Sequence, residues 1–413
     1  MSIFQIITIL FVISALFSYI NVRFFKLPTT IGLMIMAMIF TLCITISSLF
    51  TDVLLKEAVA IINSIDFKEV LMDVMLSFLL FAGALHTNLT HIKTQRYPIF
   101  LFATFGVLVS TFLIGTIAFY LLNFMHLPIS YLQALLFGAL ISPTDPIAVL
   151  GILKKAGAPK NLETKIVGES LFNDGIGVVI FLTLFQLAAS PEADVSLSHI
   201  GFLFLEEVGG GILLGLGLGY LTYWLLKSID NYETEVMLTI AMVSGGYLLA
   251  SSLHFSGPLA MVVAGLFIGS DNKRTTSMSE VTERYVDKFW ELLDILLNAI
   301  LFVLIGLEVL ILSFEGNFVL AGLILIPVAL LCRYLALSGP IILLKKRLNF
   351  VPNTGLIMTW GGLRGGISIA LALSLTDEMN RELIVAITYI IVVFSIIVQG
   401  LTVEKVLKWL KVS

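Results

Sequence analysis

The chemistry of this 413-residue chain is concentrated in three short stretches. The first is SPTDP, in which Pro143 and Pro146 flank Thr144 and Asp145. Two prolines so close together remove two backbone donors and break a helix around them, which leaves carbonyls in need of partners. The second is GESLFNDGIG, with Glu169, Ser170, Asn173 and Asp174. On a helix, Glu169 and Asn173 share one face, while Ser170 and Asp174 form a parallel strip about 100° round. The third is GGLRGG, where Gly361, Gly362, Gly365 and Gly366 bracket Leu363 and Arg364. Such a run loosens a helix and permits close backbone approach. Carboxylate, amide and hydroxyl oxygens at these spacings are hard ligands, suited to a weakly held alkali cation.

The elements that must carry these residues are membrane helices. Hydrophobic residues make up 58% of the chain and charged residues 13%, about half the charged share of an ordinary soluble protein. The apolar residues come in blocks of roughly 20, the length that crosses ~30 Å of hydrocarbon as a helix. Spans are expected near 3–22, 30–50, 69–88, 98–122, 129–152, 163–188, 200–226, 235–253, 257–270, 289–313, 318–344, 354–376 and 383–404. The expected fold class is therefore all-α, a polytopic membrane protein of about thirteen transmembrane helices. Ile3 to Ile20 lacks a basic start and a small-residue cleavage site, so it reads as the first retained helix and not a signal peptide. Cys43 and Cys332 both fall in apolar blocks, which gives no disulfide framework.

Basic residues set the expected orientation. With the N-terminus outside and the C-terminus cytoplasmic, nineteen lysines and arginines fall in inside connections and only Lys56, Lys68 and Arg381 outside. Arg333 and Arg364 remain within spans.

An ionisable residue deep in a span costs several kcal/mol and needs a partner or a function. In the fifth span, opposed half-helix ends around Asp145 can bind a cation; a simple proline kink capped by Asp145 is the competing reading. In the sixth, the alternative is a purely structural hydrogen-bond network. Arg364, in the twelfth, requires a partner, and Glu169 or Asp145 are the candidates. A Glu169–Arg364 pair would hold the two spans together and leave Asp174 free. The two interrupted spans lie in opposite orientations, as an inverted repeat requires. Asp73, Asp294, Glu308 and Arg333 stand one per span, and read equally well as end-of-span or helix-pairing residues. The glycine-rich EEVGGGILLGLGLGY around Glu206 and Glu207 reads as a close-packing surface, and the five histidines show no metal-ligand spacing.

A buried carboxylate can hold a proton or a dehydrated cation, but not both well, and that competition is sufficient for exchange. A channel would need a continuous polar path with ion-selective rings. An intramembrane aspartyl hydrolase would have no use for Asn173 or Arg364. A secondary transporter, not an enzyme, is expected.

The combination SPTDPIAVL, GESLFNDGIGVVIF and GGLRGGISIAL resembles the monovalent cation/proton antiporters, and within them the NhaP-like sodium/proton exchanger branch. The resemblance extends over the whole chain and includes FWELLDILLNAILFVLIGLE. It implies a homodimer, with a dimerisation domain and a core of two crossed discontinuous helices. On this chain that divides into 1–90 and 231–315 for the dimerisation domain, 91–190 and 316–413 for the core, and 191–230 as the linking helix. It further implies Asp174 as the ion- and proton-binding residue, with Asp145, Thr144, Ser170 and Asn173 contributing, and Asp174 and Asp145 as ligands of the transported Na+. Glu169 with Arg364 would be the structural ion pair, and Pro143, Pro146 and the four glycines the breaks. The Asn-Asp form goes with electroneutral, one-for-one exchange of Na+ (or Li+) for H+; K+/H+ exchange is the alternative. Some relatives carry a third-span glutamate near the site, where this chain has Ala82 in FAGALH. No cofactor beyond the transported ions and no nucleic-acid partner are expected. The setting is lipid, and short tails favour a prokaryotic inner membrane.

Overall fold

A computed structural model describes residues 3–63, 69–87, 89–145, 149, 153, 157–189, 197–312, 315–345 and 350–410. The helices are α1 (Phe4–Phe25), α2 (Thr29–Ser47), α3 (Leu76–Leu85), α4 (Arg96–Phe124), α5 (Tyr131–Ile141) and α6 (Lys160–Ala189). They continue with α7 (Leu197–Lys227), α8 (Tyr232–Ser252), α9 (Gly257–Ile268), α10 (Glu280–Glu308) and α11 (Gly316–Leu344). The last are α12 (Thr354–Gly361), α13 (Gly366–Leu373) and α14 (Arg381–Trp409).

Among the described residues nine of these are long and apolar enough to cross a bilayer: α1, α2, α4, α6, α7, α8, α10, α11 and α14. Three apolar helices are shorter, α3, α5 and α9. Each has a local reason. A wide-turn segment, Glu69–Met75, precedes α3 and lengthens it; α5 stops at the proline break; α9 opens at Pro258 behind a Ser256 cap. The spans read from hydropathy overlap these helices or the pair α12 and α13; most of the second half of the fifth, beyond Asp145, lies outside the described residues. The short connecting helices Val53–Asn63, Leu89–Thr94 and Asp271–Ser277 have no counterpart in that reading.

The packing is the reverse of a soluble protein's. Large apolar side chains such as Phe4, Phe50, Phe124, Leu213, Leu248 and Ile342 are exposed, while Glu169, Asn173, Arg333 and Arg364 are buried. This is how a chain partitions when its outer solvent is hydrocarbon. Close approach of backbones accounts for the glycine-rich α7. A side chain at Gly215 would run into the Ala260 carbonyl of α9, so only glycine allows these helices to meet. The chain is a multi-pass membrane protein. Both cysteines are free, Cys43 exposed and Cys332 buried.

No strand occurs among the described residues, and a single antiparallel bridge joins Asp145 to Leu363. It ties together the two stretches where helix is interrupted.

Candidate ion-binding site

The polar walls of the site come from interrupted helices and from the polar face of α6. Helix α5 starts from a reciprocal cap: Gln133 N–H donates to Ser130 Oγ at 3.2 Å, and Ser130 N–H to Gln133 Oε1 at 2.9 Å. It ends at Ile141, because Pro143 cannot donate and disfavours helix before it. The chain then runs without regular structure through Thr144 to Asp145, whose N–H donates to the Leu363 carbonyl at 2.7 Å. Pro146, the other half of the expected proline break, lies outside the described residues. On the facing side α12 stops at Gly361 and α13 begins at Gly366. A Cβ at Gly365 would lie 2.8 Å from both Cβ and Oδ2 of Asp145. Glycine at that position is what allows the two breaks to touch.

The buried charges pair differently from the sequence-based expectation. Glu169 does not pair with Arg364. Its carboxylate accepts from Arg333 Nη1 at 3.0 Å and Nη2 at 2.9 Å, a bidentate fork between α6 and α11. Arg333 Nε also donates to the Met358 carbonyl at 3.2 Å, and Nη2 to Thr144 Oγ1 at 3.3 Å. Arg364 instead closes the end of α5, where its Nη1 donates to the Ser142 and Pro143 carbonyls at 2.8 and 3.0 Å. The reason is electrostatic. The C-terminal end of α5 presents orphaned carbonyls and the negative end of the helix dipole, which a guanidinium satisfies without any carboxylate. The Arg364 N–H itself donates to Ser395 Oγ at 2.8 Å.

Asn173 latches α6 to the first break. Its Nδ2 donates to Thr144 Oγ1 at 2.9 Å and Glu169 Oε1 at 3.0 Å, and its Oδ1 accepts from Thr144 N–H at 3.3 Å. Thr144 Oγ1 lies 3.1 Å from Ser170 Oγ. The polar atoms of Asn173 are therefore all committed to protein.

Asp174 is the exception. It is only 7% exposed, and among the described residues it has neither a hydrogen bond nor an ion pair. It faces a cavity of about 70 Å³, shared with Pro143, Thr144, Asp145, Asn298, Gly365 and Ser368, which is room for a few waters or a partly hydrated ion. On the α3 side the wall is apolar, with Leu76, Leu79, Leu80 and Gly83; Ala82 is buried and carries no ligand. Asp145, Thr144 and Asp174 thus meet at one cavity, while Ser170 reaches it through Thr144. Sequence reasoning left Arg333 as an isolated in-span charge and did not single out Asn298. The signal for Arg333 was its charge in an otherwise apolar run; nothing in its neighbours named its partner.

Comparison with known proteins identifies the family. The sodium/hydrogen exchanger transmembrane family matches residues 11–409. The Na+/H+ antiporter NhaP of Pseudomonas aeruginosa is 50% identical over 397 residues, covering 95% of this chain and 93% of its own. The Na+/H+ antiporter NhaH of Halobacillus dabanensis is 36% identical over 83% of each chain. In fold, the sodium proton antiporter MjNhaP1 of Methanocaldococcus jannaschii is similar with a TM-score of 0.77, at 20% identity over 99% of both chains. The chain belongs to the sodium/hydrogen exchanger family, in its NhaP-like branch of monovalent cation/proton antiporters.

Proposed function

We propose that this chain exchanges Na+ for H+ across the membrane by alternating access, with ion and proton competing for the Asp174 carboxylate. One observation carries the reading: Glu169, Arg333 and Arg364 at the two breaks are tied to protein, whereas Asp174 is buried, without a basic partner among the described residues, and faces the cavity it shares with Asp145. A bare carboxylate in such surroundings is costly, so it is occupied by a proton or by a cation, and only the loaded site crosses the apolar barrier. An empty charged site stays behind, which suppresses leak.

The names of the relatives from Pseudomonas aeruginosa and Halobacillus dabanensis support sodium as the ion, and K+ in its place is not favoured. The activity is that of a secondary transporter and not of an enzyme. From the Asn173–Asp174 form at the site we take the stoichiometry as one Na+ for one H+, hence electroneutral. Asp145, the Thr144 carbonyl and Ser170 complete the oxygen shell of the transported ion, and Asn173 acts by holding Thr144 in place. Residues 91–190 and 316–413 form the moving core against a homodimeric scaffold of 1–90 and 231–315, linked through 191–230. The charge distribution supports an outside N-terminus and a cytoplasmic C-terminus in a bacterial inner membrane.

The test is collapse of a pH gradient in liposomes on adding NaCl, LiCl, KCl or choline chloride, with Asp174→Asn in parallel. Collapse by NaCl and not choline, lost in the variant, is the expected result. A gradient that survives every cation between pH 6 and 9, taken as a roughly physiological range, overturns the exchanger reading.

A further inference from the structure

Helix α10 carries a carboxylate–asparagine pair outside the set of groups that hold the exchange site together. Asn298 is 5% exposed and lines the same cavity as Asp174 and Asp145. Its Nδ2 donates to Asp294 Oδ1 at 3.0 Å and to the Asp294 carbonyl at 2.9 Å. The arrangement parallels Glu169 and Asn173 on α6, also four residues apart and joined at 3.0 Å. The two pairs differ in charge balance. Arg333 neutralises Glu169, while no basic side chain pairs with Asp294 among the described residues.

With Nδ2 turned to Asp294, the Asn298 amide oxygen receives no donor among the described residues, and an amide oxygen is a hard ligand. Asp294 is half-buried and lies one helical turn from Asn298, on the same face of α10. The cavity lining contains Asp145 and Asp174 but no lysine or arginine. An alkali cation that sheds water on its way to Asp174 needs oxygens at each step; Asn298 presents one at the cavity, with the Asp294 carboxylate hydrogen-bonded directly behind it.

We propose that Asp294 and Asn298 form a second binding station for the dehydrated alkali cation, at which the ion is loaded before it reaches Asp174. The proposal rests on the reading of Asp174 as the exchange site.

Initial rates of Na+-driven pH-gradient collapse, measured in liposomes against NaCl concentration, test it with the full chain. Asp294→Asn is expected to raise the apparent KM for Na+ by about tenfold, a loss of one charged ligand's worth of affinity, while the maximum rate falls far less. Asp294→Glu restores the KM in large part. The exchanged pair, Asp294→Asn with Asn298→Asp, returns a carboxylate to the station and lowers the KM again. Binding of ²²Na+ to detergent-purified Asp174→Asn then retains a weak component that is lost on adding Asp294→Asn. Should Asp294→Asn lower only the maximum rate, or leave the KM unmoved, or should the exchanged pair behave as the single variant, the station is overturned and Asp294 is a packing residue. None of those results touches the exchange site, which falls only if Asp174→Asn itself still exchanges. If Asp294→Asn elutes as aggregate, the comparison of Asp294→Glu with the exchanged pair decides the question by the same KM ordering.

Discussion

Arg333 grips Glu169 through both carboxylate oxygens, at 3.0 and 2.9 Å, across 164 residues of sequence. Both side chains are almost fully buried, at 4% and 1% exposure. The pair joins α6 to α11 and, through Arg333 Nε and Nη2, reaches α12 and the Thr144 break as well. Removing one member strands a buried charge.

Breaking a buried pair from one side costs about 3–5 kcal/mol. Glu169→Gln and Arg333→Gln are therefore each expected to lower the thermal unfolding midpoint in detergent substantially. The double variant leaves two neutral amides that can bond to each other and should melt above either single one. Unfolding followed by intrinsic fluorescence checks the ordering. A Glu169→Gln midpoint equal to that of the wild type would rule out the pair as a stabilising link.

Arg364 meets carbonyls, not a carboxylate, so its loss should read differently. Arg364→Ala leaves the Ser142 and Pro143 oxygens without their donor, at about 1–3 kcal/mol for each unsatisfied group. We expect a moderate loss of stability and a large loss of exchange, because the end of α5 that presents Thr144 and Asp145 is released. Arg364→Lys, which retains one charged donor, should recover part of both. Exchange rates and unfolding midpoints measured on the same preparations distinguish this from loss of a salt bridge.

How much of this was legible in the sequence differs by level. The helices were, because hydrocarbon demands about 20 apolar residues per crossing. So were the breaks, because proline and glycine runs have few other uses inside a membrane helix. The choice of ion-pair partner was not. For Arg364 the rule that a buried arginine seeks a carboxylate leaves Glu169 or Asp145 as candidates, and the family resemblance implies Glu169, yet a proline break generates carbonyls that compete for it. Arg333 sits in LLCRYLALSGP with no other charged residue on its own helix, and only the fold, which brings its guanidinium to Glu169 of α6, reveals what it holds. Asn298 escaped notice for the same reason, since its role depends on which helix faces Asp174.

Competition at one carboxylate gives a definite pH dependence. Only the deprotonated fraction binds Na+, so the apparent KM for Na+ rises as pH falls, approaching about tenfold per unit once most sites hold a proton. Saturating Na+ should restore the maximum rate at each pH. Initial rates over a grid of NaCl concentration and pH make the check, and a maximum rate that falls with acid while the KM stays constant would contradict single-site competition.

Gly365 tests the contact between the breaks. A methyl group there would lie 2.8 Å from Asp145 Cβ and Oδ2, closer than packed carbon atoms approach, at about 3.5–4.0 Å. Gly365→Ala should push Asp145 out of the cavity or open the Asp145–Leu363 bond, abolishing exchange in a protein that still elutes as a folded species. Gly245→Ala, where no atom lies within 4 Å of the added carbon, is the matched control and should exchange normally. Equal activity in the two variants would mean that the contact is dispensable.

Asn173→Asp changes almost no volume but reverses the hydrogen-bond chemistry. Asn173 donates to Thr144 Oγ1 and Glu169 Oε1, and an ionised aspartate donates nothing. It would also set a second carboxylate beside Glu169, with Arg333 the only guanidinium bonded to that group among the described residues. The variant should lose stability by about 1–3 kcal/mol at neutral pH. Protonation of the new aspartate restores one donor and removes the added charge, so the variant should regain stability as pH falls. Unfolding midpoints of variant and wild type, compared between neutral and mildly acid buffer, read this directly. A gap between them that stays constant, or widens in acid, would show that the amide does not latch Thr144 through its donors.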